Sequence, residues 1–298
     1  MKHTIKTSII GSYPIKIDNL DIMNSYFKQS DYLWNSFIKS SVDDMIAAGI
    51  DILSDGQTRD PMVQIFTRKL KGCRIRDRTE IVDKIKFSEP ITVDDQKYVR
   101  SLIPKDKQLI GILTGPYTLT KSCVDKFYYG ESQIAFDFAK ALRFEAKHLQ
   151  KYVDMISIDE PFFSNMLPDY GKDLIKEIIR DVTCPTRLHV CGDVSKIIPE
   201  LLEMPVDILS HEFKASPNLF NEFKKYEVCK DICLGSVRSD DKRVESVDEI
   251  ILHIKKGQDV FGDKIVQIAP DCGQRFLPID VAFNKLKNLV LAGEKING

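Results

Sequence analysis

Eight short apolar runs recur along the chain, and their number and spacing restrict its possible folds more than any other feature. They are TSIIGS (7–12), IDILSDG (50–56), LIGILTG (109–115), VDMISIDE (153–160), TRLHVCGD (186–193), VDILSHEF (206–213), DICLGSV (231–237) and KIVQIAPDC (264–272). Each is rich in Ile, Val and Leu, as parallel strands buried on both faces are. Between them lie segments whose apolar residues recur at three- and four-residue steps, most clearly 132–153, with shorter examples at 194–204 and 246–261. Asp248 and Glu249 early in the last of these, and Lys255 and Lys256 later, suit a helix dipole. Strand and helix alternating eight times predict a (β/α)8 barrel, a TIM barrel, with a doubly wound sheet as the other arrangement. One barrel of this kind uses the whole chain, 1–298, as a single domain. The one irregular stretch is 73–100. Its KIKFSEPITV alternates about Ser88, Glu89 and Pro90, which predicts a β-hairpin excursion between the second and third strands.

Composition excludes several partners. Net charge is -1, which leaves no broad basic footprint for nucleic acid or an anionic membrane. No run approaches the roughly 18 apolar residues of a membrane span. The opening MKHTIKTSIIGSYP has no apolar core or cleavage site of a secretion signal, so the expectation is a cytoplasmic protein. The seven cysteines, Cys73, Cys123, Cys184, Cys191, Cys229, Cys233 and Cys272, then read as reduced thiols. Cys184, Cys229 and Cys233 are expected in the core.

Polar residues gather where the apolar runs stop: Ser12, Asp55, Thr114, Asp159 and Glu160, His189 and Cys191, His211 and Glu212, Arg238, Asp271 and Cys272. In a barrel all eight carboxyl ends open onto one face, so residues far apart in sequence share one mouth. His189 and Cys191 are two apart and point the same way from a strand. With Cys272 and either Glu212 or His211, they make a set of thiolates, imidazole and carboxylate that suits zinc better than magnesium or calcium. His211 and Glu212 are consecutive, so only one of them faces inward.

IIGSYP, SDGQTRDPMV, LTGPYT, IDEPFF, HVCGD, DILSHE and APDCG resemble, in order and spacing, motifs of the catalytic barrel of cobalamin-independent methionine synthase. The likeness extends over essentially the whole chain and is nearest the short, single-barrel form of archaea and some bacteria. It implies zinc held by His189, Cys191, Glu212 and Cys272, which selects Glu212 over His211. It also implies an enzyme that methylates the thiol of L-homocysteine to give L-methionine. The substrate carboxylate would lie against the backbone around Ile10 and against Ser12, and its amine against Asp159, with Gln57 also in the substrate-binding set. Zinc makes chemical sense here, because it stabilises the thiolate, the nucleophilic form of a thiol.

Three departures from the folate-using members bear on the methyl donor. Gln57 replaces a glutamate. No histidine follows the seventh strand, where Arg238, Asp240 and Asp241 stand. The loop LTGPYTLTKSC lacks a tryptophan, the only one being Trp34. These imply methylcobalamin or a methylated corrinoid protein as donor. Tyr117, Phe127, Tyr128 and Tyr129 would then frame a broad mouth. The alternatives are methyl-tetrahydrofolate as donor, a thiol methyltransferase of the coenzyme M type, and a non-catalytic zinc-binding partner on the same scaffold.

Overall fold

The structure is a computed structural model that describes residues 4–15 and 30–298. Among the described residues the chain forms strands β1 (Lys6–Thr7), β2 (Ile52–Leu53), β3 (Lys71–Ile75), β4 (Thr79–Lys86), β5 (Gln108–Thr114), β6 (Val124–Asp125), β7 (Met155–Asp159), β8 (Thr186–Val190), β9 (Ile208–His211), β10 (Asp231–Val237) and β11 (Ile265–Pro270). Eight of them form one parallel sheet in the order β1-β11-β10-β9-β8-β7-β5-β2. A parallel bridge between Ser8 and Ile52 joins its two edges, so the sheet is a nearly closed TIM barrel. Each of the eight apolar runs overlaps one barrel strand.

The barrel wall has two buried faces, which explains the continuous apolar runs. Facing outward, residues such as Leu109, Leu113, Ile156, Leu188 and Leu209 join the large core beneath the surrounding helices. Facing inward, Ile10, Ile52, Ile110, Met155, Ile208, Cys233 and Ala269 form a separate small cluster. The helix at Glu131–Leu149 turns Ile134, Phe138, Leu142 and Leu149 to the wall. The helix at Val247–Phe261 starts with a capping box, in which Ser246 Oγ accepts from Glu249 N–H and Glu249 accepts from Ser246 N–H.

A hairpin does interrupt the barrel between its second and third strands, but not where the alternation placed it. The antiparallel pair is β3 and β4, Lys71–Lys86, and the chain reverses at Arg76–Arg78, where Arg76 N–H donates to Arg78 O. Ser88, Glu89 and Pro90 are not the turn, and Val93–Leu102 is a helix. The buried Glu145 carboxylate accepts from Ile91 N–H, Thr92 N–H and the Thr92 hydroxyl, so those donors are not free for a second strand. β6 pairs with β4 to complete a small three-stranded sheet beside the barrel.

Candidate active site and metal centre

β8 sets the centre of the site. Its inward positions are Arg187 and His189, and Cys191 follows on the same side. Gly192, at φ 79°, then turns the chain away, a conformation a side chain would strain. On β9 the inward positions are Ile208 and Ser210, which puts Glu212 next in phase and turns His211 outward. Cys272 arrives from the end of β11. The donor atoms of His189, Cys191 and Cys272 lie within 4.8 Å of one another. His189 Nε2 is 3.1 Å from Cys191 Sγ, and the two sulfurs are 3.0 Å apart. Glu212 stands outside this group of three, with its carboxylate near both thiols and the Gly192 N–H.

His211 lies in the outer layer between Phe213 and Phe223, with its Nδ1–H toward Val190 O.

The backbone and neighbours brace this cluster. His189 Nδ1 lies in hydrogen-bond contact with Ser210 Oγ at 3.0 Å, which leaves Nε2 facing the thiols. Ser239 Oγ donates to Cys272 O at 2.6 Å and accepts from Cys272 N–H at 3.0 Å. The Asp271 carboxylate accepts from Lys214 N–H and Ala215 N–H, tying the end of β11 to the loop that follows Glu212.

Burial disfavours the charged forms of His189, Cys191 and Glu212 alike. Burial, then the charge of Arg187, holds the His189 imidazole neutral. The hydrogen bond with Cys272, then burial, pushes the Cys191 thiol well up. Burial also raises Glu212. A positive ion stabilises thiolates and a carboxylate brought this close together. This donor set fits zinc.

The cluster of His189, Cys191 and Cys272 opens into a cavity of about 320 Å³. Ile10, Ser12, Gln57 and Asp159 all line it, beside His189, Cys191 and Cys272. Asp159 is buried, and Ser157 Oγ donates to its Oδ1 at 2.9 Å. Burial raises its pKa to about 6, against the opposing effects of Arg187 and Ser157. Gln57 holds a left-handed backbone, φ 44°, and its buried Nε2 has no partner among the described residues. A strained residue with an unspent donor on a cavity wall is poised for a ligand.

Several wall residues were not anticipated from sequence: Pro61, Met62, Arg275 and Phe276. Arg275 reaches across to the Gln57 and Asp60 carbonyls. Nothing in the sequence marks Met62 or Phe276, but the charge of Arg187 inside TRLHV was a readable signal, since it shares the phase of His189.

The expected aromatic mouth is not formed. Tyr117 is fully buried in the outer layer against Phe163, at 5.8 Å between ring centres, because 116–122 is a helix packed on the wall. Tyr128 accepts from Ile85 N–H and donates to Asp137. Phe127 and Tyr129 are exposed on a different groove, beside Lys84 and Lys126. Cys233 is buried and Cys184 half-buried, but Cys229 is exposed.

Residues 5–295 match the family described as the cobalamin-independent synthase, catalytic domain. The chain belongs to that family. It is 37% identical to the methionine synthase of Methanocaldococcus jannaschii, over 97% of this chain and 99% of that one. The methionine synthase of Methanothermobacter marburgensis is likewise 37% identical, with the same coverage. A B12-independent methionine synthase from Shewanella sp. W3-18-1, solved with selenomethionine, shares the fold, with TM-score 0.83 and 23% identity over 98% of both chains. With relatives this similar over nearly their whole length, the chain is a methyltransferase. No helix among the described residues is long and apolar enough to cross a membrane.

Proposed function

We propose that the chain transfers a methyl group to the thiol of L-homocysteine, giving L-methionine, with zinc held by His189, Cys191, Glu212 and Cys272. The observation that carries this reading is one cavity whose wall joins a cluster of metal-ligand residues to Ser12, Ile10, Gln57 and Asp159. Zinc bound there would supply the positive charge that keeps a substrate thiol ionised near neutral pH. Asp159 accepts the ammonium. Ser12 and the backbone at Ile10 hold the carboxylate, and the free Gln57 amide donates to a substrate oxygen. Pro61, Met62 and Pro161 close the wall with apolar surface and keep water from the thiolate. The sulfur–carbon bond forms as the bond from the methyl carbon to its donor breaks, and the donor leaves with that electron pair. Residues 1–298 act as one domain in this reading.

Two donors are open to it. A family described as cobalamin-independent lends no support to the corrinoid expected from sequence and favours a methylated folate. The chain's own residues favour methylcobalamin or a corrinoid protein as a second reading. A pterin leaving group needs a proton, and beyond β10 stands Arg238, ion-paired with Asp240, rather than a histidine. Zinc-loaded protein given homocysteine and either donor, with methionine read by mass spectrometry, decides between them. Methionine in one arm, lost on chelation, supports the reading. No methionine in either arm overturns it.

A further inference from the structure

Arg187 is among the largest fully buried side chains of the described residues, and it lies inside the barrel one layer below the cavity. Nε–H donates to Ser157 Oγ at 3.2 Å, Nη1 to Ser8 Oγ at 3.0 Å and Gln267 Oε1 at 3.1 Å, and Nη2 to Ile9 O at 2.8 Å. Nη1 also lies 3.7 Å from Cys233 Sγ. Every one of these partners is neutral. A buried guanidinium is costly without a compensating anion, so its charge needs an explanation.

Ser157 provides one. Arginine stays protonated, so Nε can only donate, and Ser157 Oγ must accept from it. The single hydroxyl hydrogen is then free to go to Asp159 Oδ1, 2.9 Å away. The strand register stacks the three groups: Ser157 pairs with Arg187, and Asp159 with His189. The direction of the chain from guanidinium to hydroxyl to carboxylate is therefore forced.

We propose that Arg187 is a positioning residue for the amino-acid end of the substrate, acting through Ser157 to fix the Asp159 carboxylate and balance its charge from beneath. This rests on the assignment of Asp159 to the substrate ammonium. Arg187 touches no substrate. It makes the protein select a thiol that carries an amine.

The test compares binding of L-homocysteine with that of 4-sulfanylbutanoate, which keeps the thiol and carboxylate but lacks the amine, by calorimetry on zinc-loaded protein. Ser157→Ala should cost about tenfold of the preference for homocysteine, the scale of one hydrogen bond to a charged group. Arg187→Gln should cost more, and Arg187→Lys should recover part of it, since an ammonium can still donate to Ser157. A role in packing alone weakens both ligands equally and leaves the ratio unchanged. If Asp159→Asn collapses the preference while Ser157→Ala and Arg187→Gln keep it, the relay is overturned and the Asp159 assignment stands. If Asp159→Asn itself keeps the preference, the assignment fails and the relay with it. Should Arg187→Gln not fold, Ser157→Ala, which removes one oxygen, decides the matter.

Discussion

Asp159 and Glu160 are neighbours in the chain, both buried and both acids, yet they serve opposite sides of the barrel wall. Asp159 faces inward, takes one hydrogen bond from Ser157, and lines the cavity. Glu160 faces outward, and its carboxylate accepts from Tyr117 N–H, Thr118 N–H and the Thr118 hydroxyl, at 2.9, 2.8 and 2.6 Å. Gly115 makes room for it, since a Cβ there would fall 2.1 Å from Glu160 Cδ. The histidines divide likewise: His189 inward among thiols, His211 outward among phenylalanine rings. Burial pushes both carboxyls upward, to about 6 for Asp159 and about 7 for Glu160. A raised pKa therefore does not separate the two roles. The count of partners separates these two acids: Glu160 is used up by three donors that tie the 116–122 helix to the wall, and Asp159, with one donor, retains capacity for a ligand.

The largest expected effect lies on the inner face. His189→Ala or Cys272→Ser should weaken zinc binding by more than about a hundredfold, beyond the range for loss of a mere supporting partner. Competition with a chromophoric chelator measures it, and activity should fall in step. Unaltered zinc affinity and activity in Cys272→Ser would erase the contrast between the faces. Next comes Asp159→Asn, with homocysteine binding weaker by about 10- to 100-fold, the scale of a lost charged hydrogen bond, and with little change in melting temperature. A fall in stability without a change in affinity would move Asp159 to the structural side.

Glu160→Gln should do the reverse. Its amide presents hydrogens to donors, so unfolding should become easier by about 1–3 kcal/mol, as read by chemical denaturation. This acid also gives stability a pH slope. Its folded pKa, about 7, exceeds the ordinary 4.5. Its contribution is therefore complete below about 4.5 and is lost as pH rises through about 7. The protein should melt at a lower temperature at pH 8 than at pH 5, and Glu160→Gln should flatten that slope. An equal slope in both proteins would remove Glu160 as its source. The smallest effect belongs to His211→Phe. Nε2 of His211 is buried without a partner among the described residues, so an apolar ring should change stability by less than about 1 kcal/mol. Zinc content should not change, and a loss of zinc would show that the outer histidine reaches the metal after all.

The barrel was legible in the sequence because a parallel strand buried on both faces must be apolar throughout, and eight such runs leave few alternatives. The gathering of Ser12, Asp159, His189, Cys191, Glu212 and Cys272 at strand ends was legible too, since position along a strand survives folding. The hairpin was misplaced because alternation in KIKFSEPITV is a local signal, whereas the donors of Ile91 and Thr92 are claimed by Glu145 from a distant helix. The aromatic mouth failed in the same way, because Tyr117 pairs with Phe163 in a layer that sequence does not reveal. Sequence alone determined the period-two phase that groups Arg187 with His189 and Ser210 with Glu212. Only closure of the sheet decided which phase faces the cavity. Whether a buried polar group is spent or free depends on partners brought from other strands and helices, and local sequence carries no record of them.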